Sequence, residues 1–127
     1  MENPGSNPGR GTIFIKRKIL KMLKIFIDDI RIPVEKDWFL ATTVEESKNI
    51  IKKSDDFILS LDHDLGEKEG TELTTRPLLL WCVENNHIPQ AAAIHSSNPV
   101  GVQWIKECLR YDFPHPIPIV SPPSWKI

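Results

Sequence analysis

The run Phe57-Ile58-Leu59-Ser60-Leu61 limits the possible folds of this chain more than any other stretch. It is short and apolar, and it stops at three titratable side chains, Asp62-His63-Asp64, with Gly66 close behind. That pattern reads as a strand buried on both faces of a sheet, left by a sharp turn. Two further runs end in the same polar way. Lys24-Ile25-Phe26-Ile27 ends in Asp28-Asp29, and Ala91-Ala92-Ala93-Ile94 ends in His95-Ser96-Ser97-Asn98. Helical patterns separate the later runs, so the expected class is α/β with a mostly parallel central sheet. In such sheets, sites lie at the carboxyl ends of the strands. The three polar ends would then share one crevice.

The chain between these runs gives the remaining elements. No helical period appears between Asp29 and Asp37, so the helix expected between the first two strands is reduced or absent. Trp38–Ala41 reads as a short second strand. Thr43-Val44-Glu45-Glu46 is a capping box, opening a helix to about Lys53 that buries Val44, Ile50 and Ile51. Gly66–Thr75 reads as a polar, flap-like loop. Pro77 suits a first turn, so a helix from Arg76 to about Asn85 follows, with Leu78, Leu79, Trp81 and Cys82 inward. Asn98-Pro99 is an N-cap and first helical position. That helix runs to about Tyr111, with Val102, Ile105 and Leu109 inward. The Pro-rich end holds one edge strand at Ile117–Val120.

Charge divides the chain. Residues 1–24 carry Arg10, Lys16, Arg17, Lys18, Lys21 and Lys24 against Glu2 alone, which leaves 10 basic and 16 acidic residues elsewhere, a net of -6. Residues 1–21 read as a disordered basic extension, rich in Gly, Pro and Asn at the start, and residues 22–127 as one domain. The acidic body argues against duplex DNA as a partner. No apolar run is long enough for a membrane span. Cys82 and Cys108 fall in helical patterns and make no ligand motif. Read as reduced, buried thiols, they fit a cytoplasmic protein.

Four carboxylates follow strand-like runs: Asp28, Asp29, Asp62 and Asp64. Brought together they repel unless they share a proton or a cation, and hard oxygen ligands suit Mg²⁺ or Mn²⁺. Asp29 and Asp64 would serve equally as solvated turn residues. His63 and His95 each end a central strand, and together they form a candidate acid–base pair; each alone would also suit a structural role. His87 and His115 read as surface residues. Ser96, Ser97 and Asn98 precede a helix N-terminus, where amides and hydroxyls bind phosphate. Arg31 stands next to the first acidic pair, placed to clamp a phosphate or to neutralise Asp29.

These pieces resemble the receiver fold of response regulators. Asp28-Asp29 match its acidic pair, Asp62 the phosphoacceptor position and Ser96 the switch hydroxyl. The lysine of the last strand has no counterpart in Pro118-Ile119-Val120-Ser121-Pro122. A divergent group, the cyclic-phosphate-processing receiver domains, is more similar. The likeness rests on Phe26-Ile27-Asp28-Asp29-Ile30-Arg31-Ile32-Pro33, Ser60-Leu61-Asp62-His63-Asp64-Leu65-Gly66 and Ile94-His95-Ser96-Ser97-Asn98-Pro99-Val100-Gly101, within about Met22–Arg110. The long Glu67–Thr75 loop and Pro77 depart from it.

The resemblance implies a receiver-like (flavodoxin-like) three-layer sandwich and a histidine-dependent activity on cyclic phosphates, of nucleotides or of RNA 2′,3′-cyclic ends. The expected enzyme is a cyclic phosphodiesterase. His63, His95 and Asp62 are its catalytic candidates. Arg31, Ser96, Ser97 and Asn98 are the phosphate contacts, and Asp28, Asp29, Asp62 and Asp64 the metal candidates. The alternatives are a non-catalytic degenerate receiver that binds a phospho-ligand or a protein, and a carboxylate–metal phosphoesterase.

Overall fold

The computed structural model describes residues 22–127; the basic extension expected at residues 1–21 lies outside them. The three apolar runs form strands β1 (Met22–Ile27), β4 (Asp56–Leu61) and β7 (Ala91–Ile94). With β3 (Trp38–Ala41) and β8 (Ile119–Val120) they make a five-stranded sheet, in the order β3-β1-β4-β7-β8. Every pairing in it is parallel. Ile25, Ile27, Leu59, Leu61 and Ala92 point to one face, where they pack against helices α1 (Val44–Lys52), α2 (Arg76–Glu84) and α3 (Pro99–Tyr111). Ile51, Leu78, Leu79, Cys82, Ile105 and Leu109 supply the helical side of this core.

The helices begin where the sequence signals them. Thr43 caps α1 by accepting from the Glu46 amide, and Glu46 reaches back to the Thr42 amide and hydroxyl. Asn98 caps α3 by accepting from the Gly101 amide. Val102 and Ile50 are only half-buried, whereas Ser47 is fully buried, its hydroxyl donating to the Thr43 carbonyl. Cys82 and Cys108 are buried free thiols, pushed up to about 12 by burial and so unreactive.

The opposite face carries Phe26, Ser60 and Ala93, which are register partners. No helix lies between β1 and β3. The third layer is thin: Trp38, Phe26, His95 and Trp125 form a continuous aromatic row. A small antiparallel ribbon joins β2 (Ile32–Pro33) to β9 (Trp125–Lys126) and brings Trp125 to the site. Sequence periodicity gave no sign of it, because each strand has only two residues.

Two other expectations are corrected. Gly66–Thr75 is not a loop but an antiparallel hairpin of β5 (Asp64–Lys68) and β6 (Thr71–Thr74), with Gly70 at its tip in the left-handed region. Its residues are polar because both strands are largely exposed, which hid the alternation. The edge strand is shorter than expected, since Ile117 leaves the sheet to join the helical core. No helix among the described residues is long and apolar enough to cross a membrane.

Candidate phosphate site at the strand ends

The sheet ladder continues one residue past each central strand. The Asp28 amide donates to the Ala41 carbonyl at 3.1 Å, the Asp62 amide to Ile27 at 3.0 Å, and the His95 amide to Leu61 at 2.9 Å. Asp28, Asp62 and His95 are thereby fixed side by side, in register with Phe26, Ser60 and Ala93 and on the same face. A strand pleat alternates sides at every residue, so His63 falls on the helical face instead.

Asp28 is fully buried and fully bonded. Its Oδ1 accepts from the Ile30 and Arg31 amides, both at 2.8 Å. Its Oδ2 accepts from Arg31 Nη1 at 3.1 Å and His95 Nε2 at 3.0 Å. Burial pulls the carboxyl upward, but the two amides and the guanidinium outweigh it and hold it below the usual range. Because the carboxylate only accepts, His95 carries its proton on Nε2. Its Nδ1 then accepts from the Ser60 hydroxyl at 2.8 Å. The ring stacks on Phe26 at 4.2 Å. Burial lowers its pKa to about 4 despite the neighbouring Asp28 charge, so the imidazole is neutral at pH 7.

Arg31 links this buried pair to the cleft. Its Nη1 also donates to Asp62 Oδ2 at 3.2 Å, and Trp125 lies 5.6 Å from the guanidinium. The Nε and Nη2 groups donate to no protein atom among the described residues. Burial first, and the Asp28 charge second, raise the Asp62 carboxyl above its usual range. Arg31 and the Ser96 hydroxyl oppose them.

A cleft of about 390 Å³ opens here, lined by Asp29, Ile30, Arg31, Asp62, Asp64, Gly66, Ser97 and Ile127. Gly66 has φ +85°, and a Cβ on it would stand 3.0 Å from Asp29 Oδ2, so glycine lets the hairpin approach the first acidic pair.

The structure does not bring His63 and His95 together. His63 is buried against α3: a Cβ on Gly101 would fall 2.3 Å from its ring. Arg76 Nε donates to His63 Nε2 at 2.8 Å, which leaves Nδ1 as the protonated nitrogen facing Asp64 Oδ1 at 2.8 Å. Both rings thus have both nitrogens occupied, on opposite faces of the sheet, and neither lines the cleft. The acid–base pair expected of His63 and His95 does not assemble around one phosphate; the side alternation after Leu61 decides it. Of the four carboxylates, Asp28, Asp29 and Asp62 offer oxygens within 4.8 Å of one another. Asp64 is turned away toward His63 and the Asn98 amide, which donates to it at 3.2 and 3.3 Å. Ser97 reaches the cleft, while the Ser96 hydroxyl accepts from the Asn98 backbone amide.

Ser60, Arg76, Gly101 and Trp125 complete the site and were not among the expected site residues. Ser60 had a signal, as the one hydroxyl inside an apolar strand. Gly101 had another, as a glycine inside a helix. Arg76 and Trp125 had none, because only tertiary packing brings them close.

A family model described as "Cyclic-phosphate processing Receiver domain" matches residues 23–111. No curated protein and no solved structure matches the chain. The matched span contains the whole strand-end cluster and excludes Trp125 and Ile127.

Proposed function

The chain belongs to the cyclic-phosphate processing receiver domains, and from that premise we propose that the cleft binds and hydrolyses a cyclic phosphodiester. The observation that carries the reading is Arg31: one nitrogen is held by two carboxylates, and two others bond no protein atom among the described residues and are open to a ligand in the cleft. Its planar fork suits two phosphate oxygens.

Charge narrows the ligand. Asp29, Asp62 and Asp64 line the cleft against one Arg31. A phosphate monoester carries about -1.5 to -2 at neutral pH, and three carboxylates would repel it. A cyclic diester is a monoanion and meets less repulsion. Opening the ring makes the monoester, so the same carboxylates favour product release.

In the proposed step, water attacks phosphorus and Asp62 takes its proton. One ring P–O bond breaks, and Asp62 returns the proton to the departing oxygen. The raised pKa of Asp62 suits this shuttle. Arg31 and Ser97 hold the phosphoryl oxygens. His95 keeps Asp28 and hence Arg31 in place, and His63 with Asn98 orients Asp64; both histidines are positioning residues here. Trp125, 41% exposed beside Arg31, offers a stacking surface for a nucleobase. The substrate class is accordingly a cyclic nucleotide or an RNA 2′,3′-cyclic end.

The test is a turnover screen of the purified protein with 2′,3′- and 3′,5′-cyclic nucleotides and cyclic-phosphate RNA ends, with and without chelator. Ring opening that Asp62→Asn abolishes supports the proposal. Tight binding without turnover would make the domain a phospho-ligand module instead. Turnover lost on chelation would favour a carboxylate–metal mechanism.

A further inference from the structure

We infer that Arg31 is a tethered cation that replaces a divalent ion in the acidic cluster. Asp28, Asp29 and Asp62 converge as an ion site would require, yet the bonding does not fit one. A carboxylate has about four lone-pair sites. Asp28 uses four, on the Ile30 amide, the Arg31 amide, Arg31 Nη1 and His95 Nε2. It has none left for a metal. The same Nη1 lies 3.2 Å from Asp62 Oδ2, so a guanidinium nitrogen already bridges the two carboxylates that an ion would bridge. Asp64, the fourth expected ligand, is committed to His63 and Asn98. Only Asp29 and the remaining capacity of Asp62 are left, and an ion held there would meet the Arg31 guanidinium already seated 3.2 Å from Asp62 Oδ2, a like charge within a few ångströms.

The local sequence makes this arrangement. Arg31 follows Asp28 by three residues, in a turn that the Asp28 carboxylate closes through the Ile30 and Arg31 amides. The turn aims the guanidinium back over its own acidic pair. The cluster therefore carries its positive charge covalently and would need no metal to stay folded. The inference concerns ion binding alone and stands or falls independently of the cyclic-phosphate reading.

Mn²⁺ binding to the full chain, followed by electron paramagnetic resonance, tests it. Wild type should bind Mn²⁺ weakly, with no change in Asp62→Asn. Arg31→Met, checked for folding by circular dichroism, should bind about tenfold tighter or more, the least effect expected from removing a unit charge a few ångströms away. Adding Asp62→Asn to Arg31→Met should erase the gain. A wild-type site whose Mn²⁺ is lost in Asp62→Asn would overturn the inference, as would a folded Arg31→Met with no gain. If Arg31→Met does not fold, the comparison of wild type with Asp62→Asn decides alone.

Discussion

Replacing Gly101 by alanine should destabilise the protein, although helix propensity alone predicts the reverse. Gly101 is buried in the first turn of α3, and a Cβ there would lie 2.3 Å from His63 Cγ, 2.6 Å from Nδ1 and 2.7 Å from Cβ. The imidazole cannot retreat without loss, because Asp64 and Arg76 hold its two nitrogens at 2.8 Å each. Propensity favours alanine by about 1 kcal/mol. Overpacking costs about 1–3 kcal/mol, and each weakened hydrogen bond about 0.5–1.5 kcal/mol. The balance is a loss of about 3 kcal/mol, or about 10 °C in melting temperature for a domain of this size. Urea denaturation should show a lower midpoint with an unchanged slope. His63→Ala should make Gly101→Ala far less costly, since the clash disappears with the ring. A Gly101→Ala protein as stable as wild type would refute the placement of His63 against α3.

Stability should fall as pH drops from about 6.5 to 4: the unfolded chain protonates His95 in that window and the folded one, at about 4, does not. The loss attributable to His95 is at most about 3 kcal/mol, read by urea denaturation at pH 7 and pH 4.5, and His95→Gln should flatten the slope. Asp62, raised by burial, acts in the opposite sense, gaining stability as pH falls from its folded pKa to its unfolded one, so Asp62→Asn should steepen the acid slope. Asp62→Asn should also slow ring opening by about 10²–10⁴-fold in a steady-state assay. Thr43→Ala should cost about 1 kcal/mol, measured by thermal melting, because the Thr43 hydroxyl satisfies the Glu46 amide.

The core of the fold was legible because its signals are local. Continuous apolar runs marked β1, β4 and β7, and Thr43 and Asn98 marked two helix starts through side chains that reach only three residues on. The polar strand ends located the site for the same reason, since a parallel sheet must bring them to one edge. What escaped was set at longer range or by parity. One residue decides which face a side chain takes, and the ladder runs on through Asp62, so His63, the next residue, leaves the face that holds Asp62 and His95. The β2–β9 ribbon joins residues more than ninety positions apart through two pairs, which leaves no periodicity to read. Arg31 was recognised as a cation near the acidic pair, but its simultaneous hold on Asp28 and Asp62 depends on the β1–β4 register.

The central claim is that a monoanionic cyclic phosphate binds through Arg31. Isothermal titration of wild type and Arg31→Met with a non-hydrolysable cyclic phosphodiester, in excess chelator, tests it most directly. Wild type should bind the diester more tightly than the corresponding monoester, and Arg31→Met should lose the diester while retaining its fold. Equal affinity of the two proteins, or a preference of wild type for the dianionic monoester, would contradict the account.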